Sequence, residues 1–394
     1  MAKRTTMNEN PKSEPKMDAV KVKLGLSGWR ELGESSDDEV RKSVTQRLSQ
    51  RVLGQNIVCL VGSGVSLGVG GPSMGDFWKL ARAHADVEHA LVKSGHPKAK
   101  EDIEAFLSRC RMAEQFHGAD KKLTDFITDI QKSITAACSK FLTATTPLPA
   151  HCSFLQRLAR RSSDSSRTMV FTTNYDLCIE QAAGQAGLPV IDGFSHTDPQ
   201  RFDGRNYDLD YVRRVPNQRE PSFVEGAFQL YKLHGSVNWA DRDGEIIRDA
   251  QTEQGVMIFP RDSKYQLSYQ HPFLEMMARF QFALRQPNTT LFALGFGFND
   301  DHLSEPILAA LRSNSQFNLV VATRSLEKNS EGDKANRFLK VLSALAGESG
   351  IESVTLIDGT FDQFVPLVPA VGAQSDEQRF ADIARRILQP KPNP

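Results

Sequence analysis

The stretch that decides the fold is Ile57-Val58-Cys59-Leu60-Val61-Gly62-Ser63-Gly64-Val65-Ser66, in which an apolar run ends abruptly in a glycine turn. A short apolar run bounded by glycine is typical of a buried strand in a parallel sheet. Glycines allow backbone N–H groups to approach a phosphate, and the dipole of a following helix favours an anion. Taken alone, the segment fits an ordinary glycine turn equally well.

This turn matches neither of the two common phosphate-binding signatures. Leu67 stands where the dinucleotide fingerprint G-x-G-x-x-G needs its third glycine, and no Gly-Lys-Ser/Thr follows as in a P-loop. Any ligand bound here would therefore belong to a different class of nucleotide site.

Further apolar runs outward from this stretch predict strands near 169–173, 228–233, 290–294, 318–322 and 354–357. Helical patterns separate most of these strands. Strands that alternate with helices indicate an α/β fold with a Rossmann-like, mainly parallel sheet and helices on both faces.

The chain divides into three predicted parts. Residues 1–35 are rich in Lys, Glu, Asn, Ser and Pro, which predicts a mobile N-terminal arm. Residues 36–375 form one domain with a helical insertion at about 75–165, in which two apolar stripes over 101–145 predict antiparallel helices. Residues 376–394 form a C-terminal helix and tail.

The composition excludes several classes of protein. Lys plus Arg total 48 and Asp plus Glu total 48, so the net charge is zero, which argues against a generally basic nucleic-acid binder. DNA contact would then come only through a larger complex. No apolar run approaches the roughly 18 residues of a membrane span, and the polar N-terminus lacks the apolar core of a secretory signal.

The five cysteines are widely spaced and form no C-x-x-C pair. Such scatter is typical of free thiols in a reducing compartment, so we expect a cytoplasmic protein. The same scatter excludes a cysteine-built zinc module, and no histidine motif predicts another metal site.

Polar motifs follow the predicted strands at the edge where an open α/β sheet binds its ligands. In Thr172-Thr173-Asn174-Tyr175-Asp176, the Asn174 amide offers a donor and an acceptor for a water or a ribose hydroxyl. Alternatively, Asn174 or Asp176 caps the next helix. In Lys232-Leu233-His234-Gly235-Ser236, His234 is a candidate general base, although a lone histidine is more often structural.

A fourth motif, Gly295-Phe296-Gly297-Phe298-Asn299-Asp300-Asp301-His302, follows the strand near 290–294. Its glycines allow another close approach to a ligand. The acidic pair Asp300 and Asp301 suits the cap of the helix that follows.

These four motifs, in this order, resemble those of the sirtuin family, in which G-A-G-I-S, T-Q-N-I-D, H-G and G-T-S segments occur. The resemblance spans about 57–325. The form T-T-N-Y-D, the stretch 258–265 and the segments 287–289 and 295–302 look more like bacterial sirtuin-like NAD-cleaving proteins of antiphage defence. Within that group, the chain resembles the subunit that works with a HerA-type hexameric ATPase.

The chain departs from the sirtuin deacylases at several places. The four zinc cysteines are missing, Pro72-Ser73-Met74 replaces a P-D-F segment, and Gly297 replaces the serine of G-T-S. Phe259-Pro260-Arg261 stands where deacylases pair a strand with the substrate peptide, and proline cannot donate a hydrogen bond to an added strand. These changes argue against peptide deacylation and leave the expected NAD pocket intact.

The resemblance implies an NAD glycohydrolase that releases nicotinamide and ADP-ribose, with NAD as substrate and no metal. Asn174 would orient water or ribose hydroxyls, and His234 would contact a ribose hydroxyl or act as general base. The residues implied to line the phosphate and ribose region, to support it, or to approach the adenosine are Gly62, Ser63, Gly64, Ser66, Thr173, Asp176, Gly295 and Phe296. The implied partners are a HerA-type ATPase and, given the neutral surface, further copies of this chain.

Two other functions stay open at this point. An NAD-dependent deacylase or ADP-ribosyltransferase would share the pocket but would need an acceptor groove. A non-catalytic scaffold that binds NAD or ADP-ribose would have no need for both Asn174 and His234, so the pair argues against it.

Overall fold

The structure is a computed structural model that describes residues 19–25, 28–33, 35, 38–117, 120–159, 161, 165–214, 222–258, 272–332, 334–348 and 352–370. The strands within these ranges are β1 (Lys21–Lys23), β2 (Trp29–Glu31), β3 (Asn56–Val61), β4 (Met169–Thr172), β5 (Val190–Ile191), β6 (Val212–Arg213), β7 (Ser222–Phe223), β8 (Phe228–Lys232), β9 (Gly235–Ser236), β10 (Trp239–Arg242), β11 (Glu245–Arg248), β12 (Val256–Met257), β13 (Thr289–Leu294), β14 (Asn318–Thr323) and β15 (Val354–Asp358). The α-helices there are α1 (Glu39–Val52), α2 (Met74–Arg82), α3 (Val87–Ser94), α4 (Ile103–His117), α5 (Lys121–Lys140), α6 (Pro149–Ala159), α7 (Cys178–Ala186), α8 (Phe273–Arg285), α9 (Asp301–Ser313), α10 (Leu326–Ser330), α11 (Arg337–Gly347) and α12 (Phe361–Phe364).

Nine strands form the central sheet, in the order β2-β1-β15-β14-β13-β3-β4-β8-β5. The seven strands from β15 to β5 run parallel to one another, and β1 and β2 add to one edge in antiparallel fashion. From β3 the chain builds outward through β4 and β8, then returns to the other side of β3 with β13, β14 and β15. This reversal is that of a doubly wound Rossmann-type sheet, with its switch point between β3 and β13. The predicted fold class is confirmed.

The middle of the sheet consists of strands that are apolar on both faces. Every residue of β3 (Asn56–Val61) and β13 (Thr289–Leu294) is buried, and the two strands pair in parallel over their full length. A strand covered by helices on both faces needs such a continuous apolar run instead of an alternating pattern.

Helices cover the two faces of the sheet and complete two hydrophobic cores. On one face, α1, α6, α7 and α12 pack through residues such as Leu48, Leu155, Ile179 and Phe364. On the other face, α8, α9 and α11 contribute residues that include Phe280, Ile307 and Leu342. The sheet is therefore sandwiched, and ligands can reach it only at its ends.

Helices α2 to α5 form a separate unit with its own core. Phe77, Phe106 and Phe126 lie at the centre of this core, and Tyr175, Val237 and Met257 extend it to the rest of the domain. Helix α6, which lies inside the predicted insertion at about 75–165, packs instead against α7 in the layer over the sheet. The helical unit therefore ends with α5, because the apolar side of α6 fits the sheet layer.

The expected mobile arm over residues 1–35 is wrong for its second half. Residues 21–23 and 29–31 form β1 and β2, and Val22 is buried opposite Ile357 of β15. Pairing with a sheet edge orders these short polar strands. Residues 1–18 and the predicted C-terminal segment 376–394 lie outside the described residues, as does Phe259-Pro260-Arg261.

Candidate functional site

The four motif-bearing strands end together in one register row of the sheet. Leu294 pairs with Val61, Val61 with Thr172, and Thr172 with Lys232. Asn174 and His234 each stand two residues beyond this row on the neighbouring strands β4 and β8. The structure thus brings the four motifs to one edge, which is where their common position after strands predicts them.

The Asn174 side chain is fixed by hydrogen bonds from both sides. Its Nδ2 donates to the Gly62 carbonyl oxygen at 3.1 Å and to Ser66 Oγ at 3.0 Å. Its backbone N–H donates to Thr172 Oγ1 at 3.0 Å, and Thr172 Oγ1 donates in turn to the Val61 carbonyl oxygen. Both amide hydrogens are therefore committed, whereas Oδ1 makes no hydrogen bond with any residue of the described ranges.

Ser66 links Asn174 to Asp176. The buried Ser66 hydroxyl donates to Asp176 Oδ2 at 2.8 Å while it accepts from Asn174. The second oxygen, Asp176 Oδ1, accepts from the Cys178 backbone N–H at 3.0 Å, at the first residue of α7. Asp176 thus orders the Ser66–Asn174 pair through Oδ2 and stabilises the start of α7 through Oδ1. The predicted alternative, a helix-capping role for Asp176, accounts for the second contact only.

The ammonium group of Lys232 lies beneath this network. Lys232 is 3% exposed, and its Nζ donates to the Asp176 carbonyl oxygen and pairs with Glu180 Oε1 at 2.9 Å. A buried ammonium without partners would be strongly unfavourable. Lys232 thereby connects the end of β8 to the loop that carries Asn174. The position of Lys232 in its motif did not predict this role.

His234 lies opposite a carboxylate that comes from another strand. Its Nε2 is 3.3 Å from Asp300 Oδ2, and both side chains are largely buried. Burial by itself would raise the pKa of the Asp300 carboxyl, but the neighbouring His234 ring and the His302 backbone N–H hold that pKa below its ordinary value. Asp300 also caps α9, as the sequence predicts, by accepting from the His302 N–H at 2.9 Å.

The glycines of the first and fourth motifs pack against each other. A Cβ on Gly62 would lie 2.6 Å from the Gly295 carbonyl oxygen, and a Cβ on Gly295 would lie 2.5 Å from the Val65 nitrogen. Gly64 N–H donates to the Gly295 carbonyl oxygen at 3.0 Å, and Gly62 N–H donates to Leu294. These glycines therefore bring two loops into contact across the switch point, and their N–H groups are engaged within the protein.

A cavity of about 700 Å³ opens beside this contact, at the carboxyl ends of β3, β13, β14 and β15. Ser63, Gly64 and Gly295 line it, together with the side chains of Arg324 and Asp358. The volume lies in the range of ligand pockets. Asn174 and His234 are not among the residues that line this cavity.

The remaining predicted site residues have mixed positions. Phe296 is buried in the main core, and its ring packs against Phe298 in a tilted arrangement with 5.0 Å between the ring centroids, so its side chain serves packing. Thr173 contributes its backbone N–H to the Val61 carbonyl oxygen. The sequence predicts no role in the site for two residues of this region. Lys232 had no predicted role at all, and Asp300 was predicted only as a helix cap.

Two kinds of feature are absent from the described ranges. No cluster of three or more His, Cys, Asp or Glu side chains there could hold a metal ion. No helix in those ranges is both long enough and apolar enough to cross a membrane.

Comparison with known proteins identifies part of the chain. Residues 168–342 match the family described as "SIR2-like domain", which is less than half of the 394 residues. The matched segment begins just before β4 and ends within α11, so it includes Asn174, His234 and Asp300. No curated protein matches the chain.

Solved structures of two Sir2 homologues are also similar to the chain. A Sir2 homologue in complex with NAD is 15% identical, with 91% of this chain and 98% of that chain covered and a TM-score of 0.37. A variant Sir2 homologue in complex with ADP-ribose is 15% identical, with coverages of 82% and 95% and a TM-score of 0.35.

Proposed function

We propose that this protein is an NAD glycohydrolase that cleaves the bond between nicotinamide and ribose to give nicotinamide and ADP-ribose. The observation that carries the proposal is the commitment of the Asn174 amide. Both of its hydrogens are donated to Gly62 and Ser66, so only Oδ1 is left to engage a ligand. A fixed acceptor beside the ends of parallel strands is suited to orienting a hydroxyl group or a water.

The reaction requires few catalytic groups from the protein. The C1′–N bond breaks through a transition state with oxocarbenium character, its electron pair leaves with neutral nicotinamide, and a water oxygen bonds to C1′. No general acid is needed for the leaving group, because nicotinamide departs without a charge. The water loses one proton, which a base must accept.

His234 is positioned for this second task. It stands at the same offset beyond β8 as Asn174 beyond β4, and these strands are neighbours in the sheet. Its Nδ1 makes no hydrogen bond with any described residue. A ring nitrogen without a protein partner can accept a proton, which makes His234 the candidate acceptor for the proton of water or of a ribose hydroxyl.

The cavity beside Gly295 supports binding of the adenosine half of the dinucleotide. Its lining includes Ser, Thr, Asn and Gln residues, together with Arg324 and Asp358. Ser63 and Gly64 lie at its boundary with the Asn174 network. A dinucleotide would then cross the Gly62–Gly295 contact, with its pyrophosphate near Ser63 and its nicotinamide ribose near Asn174 and His234.

We further propose, from the sequence resemblance alone, that NAD depletion by this protein serves antiphage defence and that assembly regulates it. The partners would be further copies of this chain and a HerA-type ATPase. Co-purification with a co-expressed ATPase, followed by mass measurement, tests this part. A monomer whose NAD turnover ignores the ATPase would contradict it.

The decisive experiment is NAD consumption by the purified full chain, with products separated chromatographically. We expect nicotinamide and ADP-ribose from the wild type, and a loss on the order of 10²–10⁴ in rate for Asn174→Ala and for His234→Ala. The matched control is Asn318→Ala, because Asn318 lies at the opposite end of the sheet and its amide donates only a 3.4 Å hydrogen bond to Gln316.

The outcomes separate the alternatives. NAD binding that persists in Asn174→Ala without turnover supports the assignment, and full activity in that variant contradicts it. Binding without turnover by the wild type, with and without the ATPase, would identify a scaffold. An acyl-lysine peptide that competes with water for the same intermediate would identify a deacylase.

A further inference from the structure

The contact between His234 and Asp300 joins two strands that are not neighbours. His234 follows β8 and Asp300 follows β13, and both β3 and β4 lie between these strands in the sheet. The segments that follow β8 and β13 must therefore together reach across the ends of two strands to bring Oδ2 within 3.3 Å of Nε2. Helix capping alone does not require that contact.

One residue of the Gly295–Asp300 loop has a strained backbone that contacts with the rest of the protein hold in place. Phe298 has a φ of 56°, in the left-handed region that bulky residues rarely adopt, and its side chain is buried. Its carbonyl oxygen accepts a 2.9 Å hydrogen bond from Asn336 Nδ2, while Asn336 Oδ1 caps α11. Such strain persists only where the surroundings impose it, and it concentrates at functional sites.

The two oxygens of Asp300 have separate surroundings. Oδ1 accepts from the His302 N–H as the cap of α9. Oδ2 is fully buried, receives no well-aligned hydrogen bond, and lies 3.3 Å from Nε2 of the His234 ring. The 3.3 Å separation is long for a charge-assisted bond, and such contacts commonly tighten when substrate fills a site.

We propose that Asp300 is a positioning residue that keeps the proton of neutral His234 on Nε2, so that the Nδ1 lone pair faces the substrate. A carboxylate beside one ring nitrogen selects the tautomer that donates to it, and the other nitrogen becomes the acceptor. Asp300 itself touches no substrate. The part of this proposal that concerns substrate rests on the proposed NAD hydrolysis, whereas the tautomer does not.

The test reads the tautomer directly. The full chain is labelled with ¹⁵N-histidine, and the His234 signals are assigned among the nine histidines by their absence in His234→Gln. At a pH where the ring is neutral, we expect the proton on Nε2 in the wild type. In Asp300→Asn we expect it on Nδ1, because the new amide can donate to Nε2.

Turnover supplies the second readout. We expect Asp300→Asn to lower kcat about 100-fold or more with little change in KM, because proton transfer is impaired and binding is not. Asn and Ser both retain a helix cap, so Asp300→Ser serves as a second variant if Asn disturbs the loop. The matched control is Asp301→Asn, whose carboxylate is exposed and pairs with Arg337; it should leave both the tautomer and kcat unchanged.

The proposal is overturned if wild-type His234 carries its proton on Nδ1. It is also overturned if Asp300→Asn and Asp300→Ser both keep the wild-type tautomer. A wild type that shows the Nε2–H tautomer but hydrolyses no NAD would contradict the proposed function and leave the positioning by Asp300 supported.

Discussion

Asn174 Nδ2 and Ser66 Oγ are 3.0 Å apart, and Ser66 passes the interaction on to Asp176 at 2.8 Å. The serine hydroxyl is thus acceptor and donor at once, and all three side chains belong to buried residues. Because an amide can rotate by half a turn, this hydroxyl determines that Oδ1 is the end of the Asn174 side chain without a hydrogen bond to a described residue. Ser66 comes from the loop after β3 and Asn174 from the loop after β4, so the contact depends on correct packing of both strands.

We expect Ser66→Ala to reduce both stability and turnover. It leaves one Asn174 hydrogen and one Asp176 oxygen without a partner, at a cost of about 1–3 kcal/mol. It also frees the Asn174 amide, which should lower kcat on the order of 100-fold. Urea titration and NAD turnover measure the two effects.

Ser63→Ala is the matched control for this change. Ser63 lies in the same loop, lines the 700 Å³ cavity and makes no side-chain hydrogen bond with described residues. Its removal should leave the free energy of unfolding within about 0.5 kcal/mol of wild type. Equal destabilisation by the two serine variants would contradict the bridging role of Ser66.

We expect Lys232→Met to destabilise the protein on the order of 3 kcal/mol, because it leaves Glu180 facing a buried apolar group without its cation. The double variant with Glu180→Gln should recover part of this loss, since it removes the uncompensated charge. A urea-unfolding cycle over the four proteins measures the coupling. Strictly additive losses would show that the 2.9 Å pair contributes nothing of its own.

Much of the fold can be predicted because its central strands are apolar runs. Such runs are visible in the local sequence without knowledge of the strands with which they pair. The buried strands β3 and β13 are of this kind, and the polar motifs after them identify the edge of the sheet that bears the site. Strands β1 and β2 are different. Lys21-Val22-Lys23 has no apolar run that would predict a strand. It forms a strand because it pairs with β15 at the edge of the parallel part of the sheet.

The contacts within the site were less predictable for a related reason. Asp300 is an evident helix cap from its position before α9, but its contact with His234 spans the ends of β3 and β4, which lie between β13 and β8. Lys232 likewise looks like one residue of a strand until Glu180 is found beside it. Both contacts depend on the strand order, which no local pattern encodes.

We expect Gly295→Ala to destabilise the protein by about 2 kcal/mol or more. Gly295 has a φ of 58°, and an added Cβ would lie 2.5 Å from the Val65 backbone nitrogen, so the substitution adds backbone strain to a collision. The control is Gly184→Ala, which lies inside α7 with nothing within 4 Å of the new Cβ. That change should stabilise the protein by up to about 1 kcal/mol. Shifts of the same sign would show that the loop contact can relax.

We expect His151 to make the protein less stable as the pH falls below about 6.5. His151 is almost fully buried and packs on Phe361 at 5.0 Å between ring centroids. Burial lowers the pKa of His151 below its ordinary value of 6.5, and the carboxylates of Asp176 and Asp362 offset only part of that effect. Below pH 6.5 the unfolded chain therefore binds a proton at His151 more readily than the folded chain does. The free energy of unfolding is unaffected by His151 above pH 6.5, and it decreases as the pH falls from 6.5 towards the pKa of His151 in the folded chain.

Thermal unfolding of the wild type and of His151→Phe between pH 7.5 and pH 5 measures this effect. The wild type should lose more of its melting temperature over that range than the variant, which has no imidazole to protonate. His196→Phe serves as the control, because His196 lies at the surface beside Tyr211 and its loss should leave the dependence of the melting temperature on pH unchanged.

Since His151 is close enough to Asp176 for their charges to interact, protonation of His151 would also disturb the Ser66–Asn174 pair. NAD turnover should then fall together with stability, whereas parallel pH profiles for the wild type and His151→Phe would show that another group titrates.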